Sequence, residues 1–239
     1  MDLNRETIEC ISDMAKPVLF EVGGDTFCRE GLHRVVPHVD RPAGICVNGL
    51  DSAVKLISTE ISRVTCPVFV CVGDNHTVNI FTTYGDDYGR DNLYRVSCDV
   101  PEFREGWRDH EKAIIELRSR FIPNDGTNYL LDLLSRVSKE DGVTSEDNGV
   151  SQAVTARTGV SLKSVVHVNP RVALRPYRTF LEVEQPESEF LLRMDENGTV
   201  GLFEADGGMW AMDAKASIVA YFEESLSQLI SDGKVVVMK

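Results

Sequence analysis

The chain has 239 residues, enough for one large domain or two small ones, and either can bury a proper core. With 42% hydrophobic and 26% charged residues it has the make-up of a soluble globular protein. No apolar run approaches the ~20 residues of a membrane helix, and a net charge of −13 repels nucleic acid and anionic membranes at long range.

The first sixteen residues are charged and amphipathic, with Ile8, Ile11 and Met14 at helical spacing. They lack the basic start and apolar run of a signal peptide, so the expected compartment is the cytoplasm. "PVLFEVGGDTFC" reads as strand, Gly-Gly turn, strand. "LDSAVKLISTEISR" places Val54, Leu56, Ile57 and Ile61 at helical spacing, with Asp51 or Ser52 as N-cap. "CPVFVCV", "TVNIFTTY" and "LYRVSCDV" predict a meander of antiparallel strands with one apolar face. "DHEKAIIELRSRF" reads as helix (Ile114, Leu117, Phe121) or as strand (Ile115, Leu117), with helix favoured, "GTNYLLDLLSRVSKE" reads as helix, and Lys139 to Gln152 reads as a polar linker or long loop. "SLKSVVHV" and "RVALRPY" read as strands. The segment from Met212 to Gly233 reads as a long helix with Asp213 as N-cap, and "KVVVM" as a final strand. The expected fold class is therefore α+β: antiparallel sheets in an N-terminal part (1–105) and a C-terminal part (151–239) with a long C-terminal helix, joined by a helical middle and acidic linker (106–150).

The densest chemistry lies in "RPYRTFLEVEQPESEF", Arg175 to Phe190. Folded as a hairpin across Gln185-Pro186-Glu187-Ser188, it pairs Val183 with Phe190, Leu181 with Leu192 and Thr179 with Met194 on an apolar inner face. The charges then collect outside because the inside is core. Glu184 would oppose Glu189, which like charges disfavour, so a compensating cation is required: Arg175, Arg178, a partner's base, or a metal. The following "TVGLFEADGGMWAM" reads as a second hairpin that brings Glu204 and Asp206 to an Asp-Gly-Gly turn. Glu182, Glu184, Glu189, Glu204 and Asp206 are the candidate acidic cluster for magnesium or manganese, against the blander reading of a solvated acidic edge. No other cofactor is expected.

From Ser151 to Phe180 there is no acidic residue and there are five basic ones, Arg157, Lys163, Arg171, Arg175 and Arg178. Lys163, Arg171, Arg175 and Arg178 are the candidate binding residues of this basic segment. They either contact an anion or pair with the acidic surface of the protein itself or of a second subunit, and abundance favours the second. Cys10, Cys28, Cys46, Cys66, Cys71 and Cys98 form no C-x-x-C pair and are expected as free buried thiols. His33 and His38, five apart, make a weak metal spacing. Trp107 and Trp210 are expected as core anchors. No G-x-S-x-G, P-loop or G-x-G-x-x-G motif is present.

At "DNGVSQAVTARTGV", "NPRVALRPYRTFLEVEQPESEF" and "LFEADGGMWAM" the chain resembles phage and prophage proteins of gut Firmicutes and relatives, related to the YfdQ-like prophage proteins. The resemblance spans most of Trp107 to the C-terminus. It implies a phage protein acting in the host cytoplasm and carries no catalytic residue over. The leading expectation is a non-enzymatic binding protein, an accessory factor in phage DNA recombination or replication. Its expected partners are itself, as a homo-oligomer, and a phage or host protein, nucleic acid or nucleotide, with no membrane. One alternative is an inhibitor of a host anti-phage defence, by nucleic-acid mimicry or nucleotide sequestration. The other is a metal-dependent hydrolase using the hairpin carboxylates.

Overall fold

The computed structural model describes residues 4–16, 18–28, 33–34, 43–85, 88–101, 103–136, 144–147, 152–158, 162–195 and 199–239. The chain forms two compact units, Met1–Pro42 and Ala43–Lys239. Among the described residues no helix is long and apolar enough to cross a membrane.

In the first unit, helix α1 (Arg5–Met14) starts where the Asn4 side chain accepts the Thr7 N–H. Its predicted apolar stripe is there but stays uncovered: Ile8, Ile11 and Met14 are all exposed. Strands β1 (Leu19–Val22) and β2 (Asp25–Cys28) make the expected Gly-Gly hairpin, and β3 (His33–Arg34) adds to β2. His33 lies in that strand, and His38 lies outside the described residues.

The second unit holds two five-stranded sheets. Strand β4 (Ile45–Asn48) leads into helix α2 (Leu50–Glu60), then into the predicted meander β5 (Val68–Val72), β6 (Thr77–Thr82) and β7 (Asn92–Ser97). The edge strand β8 (Gly106–Arg108), helix α3 (His110–Arg120), short β9 (Phe121–Ile122) and helix α4 (Asp125–Arg136) follow. Strands β10 (Thr144–Asp147), β11 (Gln152–Thr158) and β12 (Leu162–Val168) form a separate three-stranded sheet. The expected linker thus contains a strand, because the backbone of Thr144-Ser145-Glu146-Asp147 can pair with β11 whatever the polarity of its side chains. The chain ends with β13 (Arg171–Pro176), β14 (Ser188–Met194), β15 (Val200–Glu204), helices α5 (Met209–Ser225) and α6 (Ser227–Ser231), and β16 (Val235–Met238). The architecture is α+β.

The first large sheet runs β16-β5-β6-β7-β4. Its centre is the antiparallel meander, but both edges are parallel: β16 lies on β5 and β4 on β7. Parallel neighbours need a crossover. Helix α2 links β4 to β5, α5 and α6 precede β16, and all of this packs on one face. That core holds Ala53 and Ile57 of α2, Ile218 and Phe222 of α5, and Val70, Ile80 and Val96 of the strands. The second sheet runs β8-β15-β14-β13-β9 and is antiparallel throughout. Its inner face (Val172, Leu174, Phe190, Leu192, Leu202) packs against Ala113 and Leu117 of α3 and Leu130, Leu133 and Leu134 of α4.

Hydrogen bonding does not follow a three-part division at residues 105 and 150. Strand β8 pairs with β15, and β16 completes a sheet begun by β4 to β7. Polar stretches mark loops, and a loop does not say which strand edge the chain returns to. The long C-terminal helix starts earlier than expected. Gly208 in the left-handed region (φ 80°) precedes Met209, and Asp213 lies inside the helix.

Gly126 shows how tightly α4 sits on the second sheet. A Cβ there would run into the carbonyl oxygen of Ala173 on β13. In an isolated helix Gly→Ala gains about 1 kcal/mol. Here Gly126→Ala should instead lower stability by about 1–3 kcal/mol, through the forced separation of α4 from β13. A urea-unfolding midpoint unchanged or raised in this variant would contradict the packing.

Candidate functional site

The quoted stretch is not a tight hairpin. Strand β13 ends at Pro176 and β14 begins at Ser188, with Ala173 opposite Glu189 and Val172 opposite Phe190. Residues 177–187 leave the sheet as one broad loop, so Glu184 and Glu189 are not cross-strand partners. The reason is a side chain that strand alternation cannot foresee. Gln185 is 3% exposed and turns inward to serve the loop's own backbone. Its carbonyl accepts the N–H groups of Arg178 (2.8 Å) and Thr179 (3.1 Å). Its amide donates to the carbonyls of Thr179 (3.2 Å) and Phe180 (2.8 Å). These bonds replace a ladder that the loop cannot make, as buried backbone groups require.

The loop so held reaches into both halves of the unit. Phe180 is fully buried in the first sheet's core. Burying such a side chain contributes about 1.5–3 kcal/mol. Asn75, in the β5–β6 turn, donates to the Arg178 carbonyl (2.8 Å), and the Thr179 hydroxyl donates to the Asn75 carbonyl (2.7 Å). Glu182 accepts the Leu50 N–H at 2.7 Å and so caps α2 from outside its own segment. The predicted caps Asp51 and Ser52 do not start this helix. Gly49, at φ 87°, does, and a side chain there would also strike the Glu182 carboxylate.

Arg178 faces the second sheet. It is 3% exposed, with its guanidinium over Trp210 (4.4 Å to the ring centroid) and Phe190 (5.2 Å). Nη1 donates to Ser188 Oγ at 3.0 Å. Nη2 lies 2.7 Å from Glu204 Oε1 but out of line for a hydrogen bond. Burial pulls Arg178 below its ordinary pKa, and Glu204, then Asp206 and Glu105, pull it back up. Glu204 Oε2 accepts the Trp210 indole N–H at 3.0 Å. Asp206 accepts the Gly208 N–H (3.0 Å) and the Trp210 N–H (3.3 Å). The Asp-Gly-Gly turn therefore joins β15 to α5 and is not the tip of a hairpin, because Asp206 organises a helix start.

The remaining charges pair on the surface. Arg175 reaches Glu184 (2.8 Å) and Glu187 (3.2 Å), and Arg171 reaches Glu189 (3.2 Å). Of the candidate binding residues, Arg171, Arg175 and Arg178 pair with carboxylates of the same chain. Lys163 lies on β12 opposite Arg157, with its side chain outside the described part. The five candidate carboxylates serve separate ends: Glu182 caps α2, Glu184 and Glu189 meet different arginines, Glu204 meets Arg178, and Asp206 starts α5. Among the described residues no three His, Cys, Asp or Glu side chains are grouped to hold a metal. Beside Arg171, a groove of about 410 Å³ runs between α4 and β13, lined by Asn124, Tyr129, Asn169 and Glu187 among others.

Two further expectations change. Trp210 is half-buried as the lid on Arg178, but Trp107 is 53% exposed on the edge strand β8, edge-on to Phe203. The thiols are free but not buried: Cys10 and Cys46 are exposed, and Cys28, Cys66, Cys71 and Cys98 are half-buried. Cys10 lies on the exposed α1, Cys46 and Cys71 point out of the first sheet, and Cys98 packs at the margin of its core.

What sequence reading missed is Gln185 and Glu182. Each looks like a surface residue of a charged hairpin. Only the Gln-Pro dipeptide, a turn signal amid apparent strand alternation, hinted that the alternation breaks there. Comparison with family models, curated proteins and solved structures returns no match to this chain.

Two outcomes follow. Gln185→Leu should cost about 3 kcal/mol or more of unfolding free energy, since several buried groups lose their partners at about 1–3 kcal/mol each. Arg171→Gln, on an exposed pair, should cost no more than about 1 kcal/mol. Equal denaturation midpoints for the two variants would contradict the assigned role of Gln185. Burial also pushes the Cys98 thiol up to about 11. Alkylation at mildly alkaline pH, mapped by mass spectrometry, should modify the exposed Cys10 and Cys46 well before Cys98. Early modification of Cys98 would refute that.

Proposed function

We propose that this chain is a non-enzymatic binding protein of phage origin, an accessory factor in phage DNA recombination or replication that works in the host cytoplasm as a homo-oligomer. The observation that supports a binding role is the fate of the charges between Arg171 and Asp206. Among the described residues, Arg171, Arg175 and Arg178 pair with Glu189, Glu184, Glu187 and Glu204, while Glu182 and Asp206 cap backbone, so these groups serve separate points of a distributed framework. Carboxylates spent in this way hold a shape, and a held shape is what recognition needs. The phage assignment is supported by the resemblance at "NPRVALRPYRTFLEVEQPESEF" and "LFEADGGMWAM".

Native mass spectrometry of the protein purified from prophage-induced cells tests this reading. The expected species is an oligomer carrying nucleic acid, or a protein of the recombination or replication machinery. Added magnesium or manganese should leave the melting temperature unchanged, because a metal bound to the native state must raise it. A metal-dependent rise in Tm together with phosphodiester hydrolysis would sink the binding role in favour of catalysis.

A further inference from the structure

The outer face of the first sheet has no role in the site described above. Among the described residues the core packs on one side of β16-β5-β6-β7-β4. Val68, Val70, Val72, Val78, Ile80 and Val96 point into it. The alternate residues point away, and register places them in rows: Val236 beside Phe69 beside Phe81, and Met238 beside Cys71, Asn79, Arg95 and Cys46. None of these outward strand positions carries an acid, although the chain has 38 acidic residues.

Aromatic and cationic groups meet on this face. Phe69 and Phe81 contact each other edge to face, with centroids 5.8 Å apart. The Arg90 guanidinium lies 5.4 Å from both ring centroids and 4.1 Å from that of Tyr84. Tyr84 is 63% exposed, and Asn79 and Arg95 on the neighbouring row are exposed as well. Unpaired bases stack on aromatic rings and on guanidinium planes, and cations along the same face take the phosphates. A mixed sheet face with rings in its middle and no carboxylate in its strand rows, the nearest acid in the described loop being Asp91 beside Arg90, meets both needs. It does so on a protein whose net charge of −13 would otherwise turn a polyanion away.

We propose that this face binds single-stranded nucleic acid, with Phe81 and the Tyr84–Arg90 pair stacking on bases and Arg95 contacting the backbone. The proposal rests on the accessory-factor reading and names its ligand and its surface. Those are not the basic segment, whose Arg171, Arg175 and Arg178 are held by carboxylates.

Fluorescence anisotropy of the full chain with labelled oligothymidylate and oligouridylate, across a salt series, is the test. Binding should weaken steeply with salt. Tyr84→Ala and Phe81→Ala should each weaken it roughly ten-fold. Arg95→Gln should reduce the salt slope by about 0.7, one phosphate contact fewer on a single strand. Tyr84 and Arg95 are exposed, so those two variants keep the fold, which circular dichroism verifies. A preference between the two oligomers identifies DNA or RNA as the natural source. Absence of binding at low salt overturns the proposal, as does binding that these variants leave intact while Arg171→Gln abolishes it. Loss of self-association in Phe81→Ala, seen by light scattering without any nucleic-acid binding, assigns the face to a second copy and overturns it too. A protein partner recovered from induced cells, with no oligonucleotide bound, leaves the accessory-factor reading standing and removes this one.

Discussion

The second unit depends on one buried amide. The loop from Tyr177 to Glu187 passes between two sheets that share no strand, and outside bonds reach it through Arg120, Asn75 and Leu50 among the described residues. Gln185 adds others from its own side chain, accepting from two N–H groups and donating to carbonyls of the same loop. With the backbone thus satisfied, the loop can place an apolar ring in one core and a cation beside the other. Phe180 enters the first core, Glu182 caps α2, and Arg178 turns to Trp210 and Glu204. A loop lacking that internal support would face a cost of about 1–3 kcal/mol for each buried group left unpaired.

The arrangement of charge follows from the same constraint. A guanidinium that is 3% exposed loses most of its hydration, and rings and a carboxylate take its place. Such pairs contribute little net stability relative to apolar packing, but they are costly to break singly. Arg178 and Glu204 tie the loop to β15. Arg171 and Arg175, on the surface, answer acidic neighbours in a high dielectric and do much less. One run of arginines in the sequence thus divides into a structural cation and two solvated ones.

The two large sheets are unlike in cover as well as in pairing. The second takes its apolar face from the helical middle, α3 and α4. The first takes its cover from α2 and from the C-terminal α5, which is why the last strand of the chain returns to a sheet begun near residue 45. Both parallel edges follow from this, since each needs a helix to carry the chain back along the covered face. With both helices on one side, the other side keeps Phe69 and Phe81 half-buried under Arg90, with Tyr84 exposed beside them.

Residue order alone determined most elements and their type. The period-two meander from Val68 to Ser97, the helix from Asp125 and the final Val235–Met238 strand follow from spacing, because burial on one face of a helix or strand leaves a local trace, whereas the segment from His110 fits either period and only the fold makes it a helix. The α+β class follows from the same periodicities. Tertiary structure decided what has no local trace. That Glu182 caps a helix 132 residues away, that Ile8, Ile11 and Met14 stay uncovered, and that β16 and β4 pair in parallel depend on which edge the chain finds on its return. The stretch from Arg175 to Phe190 shows the limit most sharply. Its alternation predicts a tight hairpin, and the buried, inward-turned Gln185 overrides it. Strand patterning reports only which side chains prefer to be dry. Hydrogen-bond demand in a buried loop is set by neighbours far away in the sequence.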